Sequence, residues 1–277
     1  MTKHEEFRNK FGTPPEGSTD EHYTPKVIYD AVLKWVLNEY PAIQGKRIIR
    51  PFYPGGDYQS EDYTDAVVID NPPFSILAKI RAYYLEKGVP YFLFAPRTVN
   101  MPADGRYSDA ILLMGTSISY EGGLYLDTRF ITNLEPADVM IRSVPGLSQA
   151  IAEAEKDNPY RKDDRKGIKK YIYPEGATTI IRLAKYAGVP FKLYRDEVKA
   201  VRTLDMGGRR DSSFGTALLL HPQAVERIKA VERIKAKDEG GICVQLSPEQ
   251  EAERLALTPK KRPPLQVPQE QPHAPDR

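Results

Sequence analysis

Between Val67 and Ser75 the chain changes character within a few residues: the apolar run Val67-Val68-Ile69 meets Asp70 and then Asn71-Pro72-Pro73-Phe74-Ser75. Consecutive β-branched positions predict a strand buried on both faces, and a proline pair forbids both further ladder pairing and an immediate helix. The strand therefore ends at Asn71. Downstream, Ile76, Leu77, Ile80, Tyr83, Tyr84 and Leu85 recur at helical spacing and stop at Lys87-Gly88, a basic last turn followed by a C-cap glycine. The run Val89-Pro90-Tyr91-Phe92-Leu93-Phe94-Ala95-Pro96 reads as the next buried strand. Strand, helix and strand in this order make a right-handed crossover between parallel neighbours, which puts Asn71 at a carboxyl edge, where ligands bind in open α/β sheets.

Similar patterning extends in both directions. Upstream, Val27, Ile28, Ala31, Val32, Trp35 and Val36 mark an amphipathic helix with Thr24 as N-cap and Pro25 as its first residue. The segment Lys46 to Asp57 predicts a short strand running into a glycine turn, Pro51-Phe52-Tyr53-Pro54-Gly55-Gly56-Asp57. From Ile111 to Arg142 the pattern suits antiparallel strands, with a hairpin around Gly122-Gly123 and a later run Phe130-Ile131-Thr132-Asn133-Leu134. Thr178, Ile180, Ile181, Leu183, Ala184 and Tyr186 predict a helix leading to Gly188-Val189-Pro190-Phe191, an echo of Gly88-Val89-Pro90-Tyr91, and Phe214 to Leu220 reads as a final core strand of the same sheet. The repeat Ala224-Val225-Glu226-Arg227-Ile228-Lys229, copied at 230–235, has a period of six that rotates its apolar positions, so a mostly exposed helix with a small footing on the core is expected. From Ser247 the chain is poor in apolar residues and holds seven of the 24 prolines, which predicts disorder. The expected organisation is a flexible segment 1–20, an α/β domain 21–222, a helix and connector 223–246 and a disordered tail 247–277.

Composition narrows the function classes. With 277 residues and 40% hydrophobic content the chain can build one sizeable α/β core with insertions. A net charge of +2 neither demands nor excludes nucleic acid, so any such surface must be a local patch. The sole cysteine, Cys243, excludes an internal disulfide and a cysteine-based zinc site within one chain, and four scattered histidines give no metal-ligand spacing, so no metal is expected. No apolar run approaches membrane-spanning length and Met1-Thr2-Lys3-His4-Glu5-Glu6 lacks a signal-peptide core, so a cytoplasmic protein that engages no membrane is expected.

The stop at Asn71 is also where the chemistry concentrates. The Asn71 side-chain carbonyl and the Pro72 backbone carbonyl can both accept hydrogen bonds from one exocyclic amino group, and Phe74 can stack on the ring that carries it. Asn71-Pro72-Pro73-Phe74 resembles the catalytic motif of amino-group methyltransferases that use S-adenosylmethionine, in the form favoured by adenine N6 enzymes. Together with the later Phe130-Ile131-Thr132-Asn133-Leu134, it is similar to the EcoRI-type and phage-type adenine-specific DNA methyltransferases over about residues 20 to 220. The resemblance implies a Rossmann-like α/β methyltransferase sheet with helices on both faces and an antiparallel insertion, and transfer of a methyl group to the N6 amine of adenine in DNA, a duplex whose target base is flipped out. It implies catalytic roles for Asn71, Pro72, Pro73 and Phe74, and cofactor contacts from Tyr23, Thr24 and Pro25, from Pro51, Phe52, Tyr53, Gly55 and Asp57, and from Asn71. The turn at 51–57 departs from the family pattern: Arg50 stands where an acidic residue is common, and the glycine spacing differs.

Only Tyr58 to Asp65 separate the first two strands, too few for the two additional β-α units of about 30 residues each that a full dinucleotide-type half requires. Either the cofactor half that the resemblance implies is abbreviated or later strands fill the gap; Asp57, Glu61 and Asp62 are then the nearest carboxylates for the ribose, or form a solvated acidic loop. Residues 155–170 carry seven basic side chains and almost no apolar ones, which excludes them from the core; Tyr160, Arg161, Lys162, Arg165, Lys166 and Lys169 suit phosphate contacts and base stacking, or a solvated linker. Arg209 and Arg210 in a glycine-rich loop are further candidate phosphate contacts, and Asn133 is a candidate site residue or a strand-end turn asparagine. Methylation of an RNA base or a protein glutamine, or nucleic-acid binding without catalysis, are the alternatives. Oligomeric state is left open.

Overall fold

The computed structural model describes residues 22–52, 57–101, 105–161, 171–172, 175–201, 204–205, 210–211, 217–234, 242–243 and 246–257. In chain order the elements are helix α1 (Lys26–Glu39), strands β1 (Arg47–Ile49) and β2 (Ala66–Asp70), helix α2 (Leu77–Lys87), strands β3 (Tyr91–Pro96), β4 (Ala110–Leu113), β5 (Ile118–Ser119), β6 (Tyr125–Leu126), β7 (Thr128–Thr132) and β8 (Val139–Ser143), and helix α3 (Pro145–Ala154). There follow β9 (Tyr171–Ile172), β10 (Ala177–Thr179), helix α4 (Ile180–Leu183), β11 (Lys192–Tyr194), β12 (Val198–Val201), β13 (Leu204–Asp205), β14 (Arg210–Asp211), β15 (Ala217–Leu220), helix α5 (Pro222–Ile234), β16 (Ile242–Cys243) and helix α6 (Pro248–Leu255).

The main sheet has seven strands in the order β1-β2-β3-β7-β4-β8-β11. Strands β1, β2, β3, β4 and β8 run one way, and β7 and β11 run the other. The protein is thus α/β with a mixed, mostly parallel sheet. Every residue of β2 is buried, as its unbroken apolar run requires. Helices cover both faces. On one, Ile28, Val32 and Val36 of α1 and Leu147 and Ile151 of α3 meet Val67, Ile69, Phe92 and Phe94; on the other, Ile80 and Tyr84 of α2 pack with Leu183, Ala224 and Ile228 over Val68, Leu93, Ile111 and Ile141. Each such side chain contributes about 1.5–3 kcal/mol on burial. Gly88 ends α2 with φ of +65°, the left-handed C-cap the sequence predicts. The first strand pairs directly with β2 in parallel, Arg47 opposite Ala66, so the two are neighbours in the sheet.

Several expectations are corrected. Helix α1 begins at Lys26, with Pro25 at its cap in an extended conformation; the Pro25 carbonyl accepts from the amides of Ile28 and Tyr29, and Thr24 makes no capping bond. Between 111 and 142 the β5–β6 hairpin and the β4–β7 pair are antiparallel as expected, but β4 and β8 are parallel neighbours, a long-range pairing that local pattern does not reveal. Thr178 belongs to strand β10, and helix α4 starts only at Ile180, where Thr179 accepts from the Arg182 amide as N-cap. Strand β15 does not close the main sheet; it is the centre of a separate three-stranded sheet, β10-β15-β12. The helix α5 is not mostly exposed: Ala224, Val225, Ile228 and Val231 are buried, because positions i, i+1, i+4 and i+7 fall on one face of an α-helix whatever the repeat of the sequence. Glu155 and Asn158, placed outside the core on composition, are buried under β5, where Glu155 accepts from the Ser119 amide and Asn158 donates to the Ser119 carbonyl. The tail is not disordered throughout: Ser247 and Gln250 form a capping box that starts α6, and Arg254 on this helix donates to the Leu220 carbonyl.

A buried polar knot sits between α2 and the sheet. Arg81, 3% exposed, donates to both carboxylate oxygens of Asp109 at 2.6 and 2.9 Å, and the Tyr91 hydroxyl donates to the same carboxylate at 2.6 Å. Removing one partner of a buried pair leaves an uncompensated charge. Arg81→Met is expected to lower unfolding stability by about 3–5 kcal/mol in denaturant titration, and a loss under about 1 kcal/mol would show that the knot is not a structural pair.

Candidate active site at the carboxyl edge

Asp70, the last residue of β2, is buried, and its carboxylate is the organiser of this edge. It accepts from the Phe52 amide at 2.8 Å, from the Asn71 amide at 2.9 Å and from Arg50 Nε at 3.3 Å. Burial raises its pKa, and the Arg50 charge and the two amides oppose that rise. The guanidinium of Arg50 lies 3.6 Å from the centre of the Tyr29 ring, whose hydroxyl donates to the Ile69 carbonyl. One side chain thereby ties the exit of β1, the exit of β2 and helix α1. Pro51 and Phe52 are both buried at this junction.

Beyond Asp70 the proline pair turns the chain away from the sheet, and Phe74 opens a short 3-10 turn before α2. Asn71 Nδ2 faces the His22 carbonyl at 3.4 Å. Its other amide atom, Oδ1, is buried with no hydrogen-bond partner, and so is Thr24 Oγ1 nearby in the chain segment that crosses this edge. The Pro72 carbonyl takes no hydrogen bond among the described residues. Buried polar atoms are nearly always paired, so unmatched acceptors gathered at one corner mark a place for a ligand's donors. Among the described residues no group of three His, Cys, Asp or Glu side chains converges on a metal site.

Asn71, Pro72 and Phe74 line a cleft with His22, Tyr120, Leu124 and Leu126. It measures about 230 Å³ counted to its open mouth, but the room for water-sized guests is about 10 Å³. That admits a single water, whereas pockets for drug-sized ligands run to about 300–1,000 Å³. The cover is the β5–β6 hairpin. Its root is fixed by Ser119 on Glu155 and Asn158 and by the Tyr120 hydroxyl 2.8 Å from Thr128 Oγ1. Its tip is held to the crossing segment by two bonds: the Glu121 amide donates to the Tyr23 carbonyl at 3.0 Å, and His22 Nδ1 donates to the Glu121 carbonyl at 2.8 Å. Gly122 and Gly123 at the tip have φ of +80° and +78°, and a Cβ on Gly122 would lie 3.1 Å from His22 Nδ1.

The other residues singled out from the sequence fall in different places. Tyr23, Thr24, Pro25, Pro51, Phe52 and Asn71 gather at this edge. Tyr53 and Gly55 lie outside the described residues, as do Lys162, Arg165, Lys166, Lys169 and Arg209 and the side chain of Arg210. Asp57 is exposed and accepts from the Gln59 amide and from Ser60 Oγ. Asp62 pairs with Arg47 at the amino end of β1, away from the cleft, and Glu61 is half-buried. Tyr160 and Arg161 are exposed. Asn133 is a structural clamp and not a site residue: it accepts from the Tyr91 amide and donates to the Val89 carbonyl, both at 2.8 Å, at the amino end of β3 and so at the opposite edge from Asn71. Sequence reasoning missed His22, Tyr120, Leu124 and Leu126. His22 adjoins the Tyr23-Thr24-Pro25 segment, but only tertiary pairing shows that the hairpin folds over Asn71.

Comparison of the chain with protein-family profiles, with curated proteins and with solved structures returns no match.

The two-bond attachment makes the hairpin a hinged cover. His22→Ala is expected to speed hydrogen exchange at the Glu121 amide by about fivefold or more, the effect of one lost hydrogen bond. The Tyr120 amide, bonded within the hairpin to the Leu124 carbonyl, should keep its protection. Equal acceleration at both amides would mean local unfolding in place of a hinge.

Proposed function

We propose that the chain is an S-adenosylmethionine-dependent methyltransferase with a Rossmann-like sheet, acting on the N6 amino group of adenine in DNA. The observation that carries this reading is the buried, donor-less Oδ1 of Asn71 beside the open Pro72 carbonyl at the end of β2. Two acceptors on consecutive residues suit the two hydrogens of an aromatic amine, and Phe74 in the same cleft suits the ring. Holding both hydrogens builds electron density on the nitrogen and aims its lone pair. The work is positioning, which can lower a barrier by about 7–11 kcal/mol, and no covalent enzyme intermediate is needed.

The chemistry of the residues near Asn71 suits a sulfonium methyl donor, whose entry requires the hairpin cover to move, since the cleft as folded admits about one water. Thr24 Oγ1, buried and unpaired, offers a hydrogen bond to its amino-acid end, Tyr23 and Pro25 flank it, and the buried Pro51-Phe52 turn tied to Asp70 offers apolar contact for its nucleoside. When bound, that donor supplies the activated methyl group. Asp57 is the candidate for the ribose hydroxyls, because Asp62 is engaged at the far edge.

One observation favours a second reading. A cleft with room for one water suits a nucleic-acid-binding protein of this fold that has lost catalysis. Calorimetric titration with S-adenosylmethionine separates the two, since only the enzyme binds it. For the enzyme, tritiated methyl transfer to adenine-containing duplex DNA is expected, and Asn71→Ala should lower kcat about 10²–10³-fold, the size found for loss of one preorganised polar group. Equal rates from folded wild type and Asn71→Ala would remove the assignment.

A further inference from the structure

Among the described residues Arg129 stands out as a buried charge. It lies on β7, is 3% exposed, and its Nη1 is buried without a partner. Among the described residues it forms no ion pair, in contrast to the buried arginine at position 81, which grips Asp109. A buried guanidinium normally keeps a counter-charge, since the solvation it gives up costs several kcal/mol. Burial pulls its pKa down to about 10, with Asp127 attracting it and Arg97 repelling it. Asp127 is already engaged, by Arg97 Nη1 at 3.4 Å and by Ser117 Oγ. Asp127 is thus the carboxylate nearest in effect to Arg129 but is paired with Arg97, and that exposed pair is weakly held.

The position in the sheet is informative. Arg129 pairs with Ala95 near the carboxyl end of β3, and Arg97 follows that strand directly. Asp70 of β2 is level with Leu93 of β3, so Asn71 and Arg129 belong to the same sheet edge, two strands and roughly 10 Å apart, but on opposite faces: Arg129 shares the face of Ala95 and Ile131, whereas Asn71 turns to the Tyr120 side.

We propose that Arg129, with Arg97 at its rim, is an oxyanion-binding site at the carboxyl edge, taking a carboxylate or phosphate group in place of the Asp127 carboxylate. A planar oxyanion suits two forked guanidinium groups, each able to donate in parallel pairs. The unpaired cation is then a cost carried by the free protein for the sake of the ligand. This inference stands without the methyltransferase reading.

The test is thermal unfolding of the full chain at fixed ionic strength in chloride, acetate and inorganic phosphate. Wild type should melt higher in acetate or phosphate than in chloride, and Arg129→Met should lose that difference while melting above wild type in chloride, because an unpaired buried charge is gone. Arg97→Gln, at a half-exposed site that does not threaten folding, should weaken the apparent anion affinity at least about threefold. Arg129→Met melting below wild type in every salt, or equal anion shifts in wild type and Arg97→Gln, would overturn the proposal. Fluorescence titration with S-adenosylhomocysteine and with its analogue lacking the amino-acid part identifies the source. A carboxylate ligand predicts that Arg129→Met weakens only the former, and a phosphate ligand predicts that neither changes while the phosphate shift is lost. Absence of methyl transfer with the anion shift intact would count against the enzyme and leave the oxyanion site standing.

Discussion

A single buried carboxylate holds this edge of the protein together. Asp70 takes two backbone amides and one guanidinium, and through them fixes where β1 leaves the sheet, where β2 leaves it and how α1 lies across both. Asn71 is aimed because its own amide is bonded to Asp70, and the Pro51-Phe52 turn stays at the same level because the Phe52 amide is bonded to the other oxygen. Strand β1 is the outermost strand of the main sheet, which makes that tie more important for its exit.

The edge is built at a cost that stability alone does not explain. Asn71 Oδ1, Thr24 Oγ1 and Arg129 Nη1 are all buried without partners. Each forgoes hydrogen bonds to water worth about 1–3 kcal/mol. Other buried polar groups are paired closely, as in the Arg81–Asp109–Tyr91 knot and the Asn133 clamp. Glu155 and Glu197 each also bury one carboxylate oxygen without a hydrogen bond, but in both the other oxygen is bonded, in Glu155 to Ser119 and in Glu197 to Tyr194 and Arg227. The three atoms near the ends of β2 and β3 suit a binding edge for a polar guest.

Local signals read the centre of the fold well. The proline pair placed the end of β2, Gly88 placed the end of α2, and the Gly122-Gly123 pair placed the hairpin turn, because each depends on a residue's own backbone preferences. What depends on distant partners was not legible. The parallel pairing of β4 with β8 has no local signature, the separate sheet around β15 looks in sequence like another core strand, and Asn133 resembles a site residue until its two backbone partners are seen at the opposite edge. Composition misled where single contacts decide: Glu155 and Asn158 sit in a charged run yet are buried by their bonds to Ser119, and Ser247 with Gln250 starts a helix in a segment whose prolines argue for disorder. Of the site, Asn71 to Phe74 and Tyr23 to Pro25 could be read from the chain, whereas His22 and the hairpin residues could not.

The central claim is that Asn71 Oδ1 and the Pro72 carbonyl receive an adenine amine. The most direct measurement is isotope-edited NMR of the Asn71 side-chain amide in the full chain, titrated with an adenine-containing oligonucleotide in the presence of S-adenosylhomocysteine. The account predicts that the Asn71 side-chain resonances and the ring signals of Phe74 shift together, with a contact from the adenine amino protons to this corner. Binding that shifts other residues and leaves Asn71, Pro72 and Phe74 unmoved would contradict it.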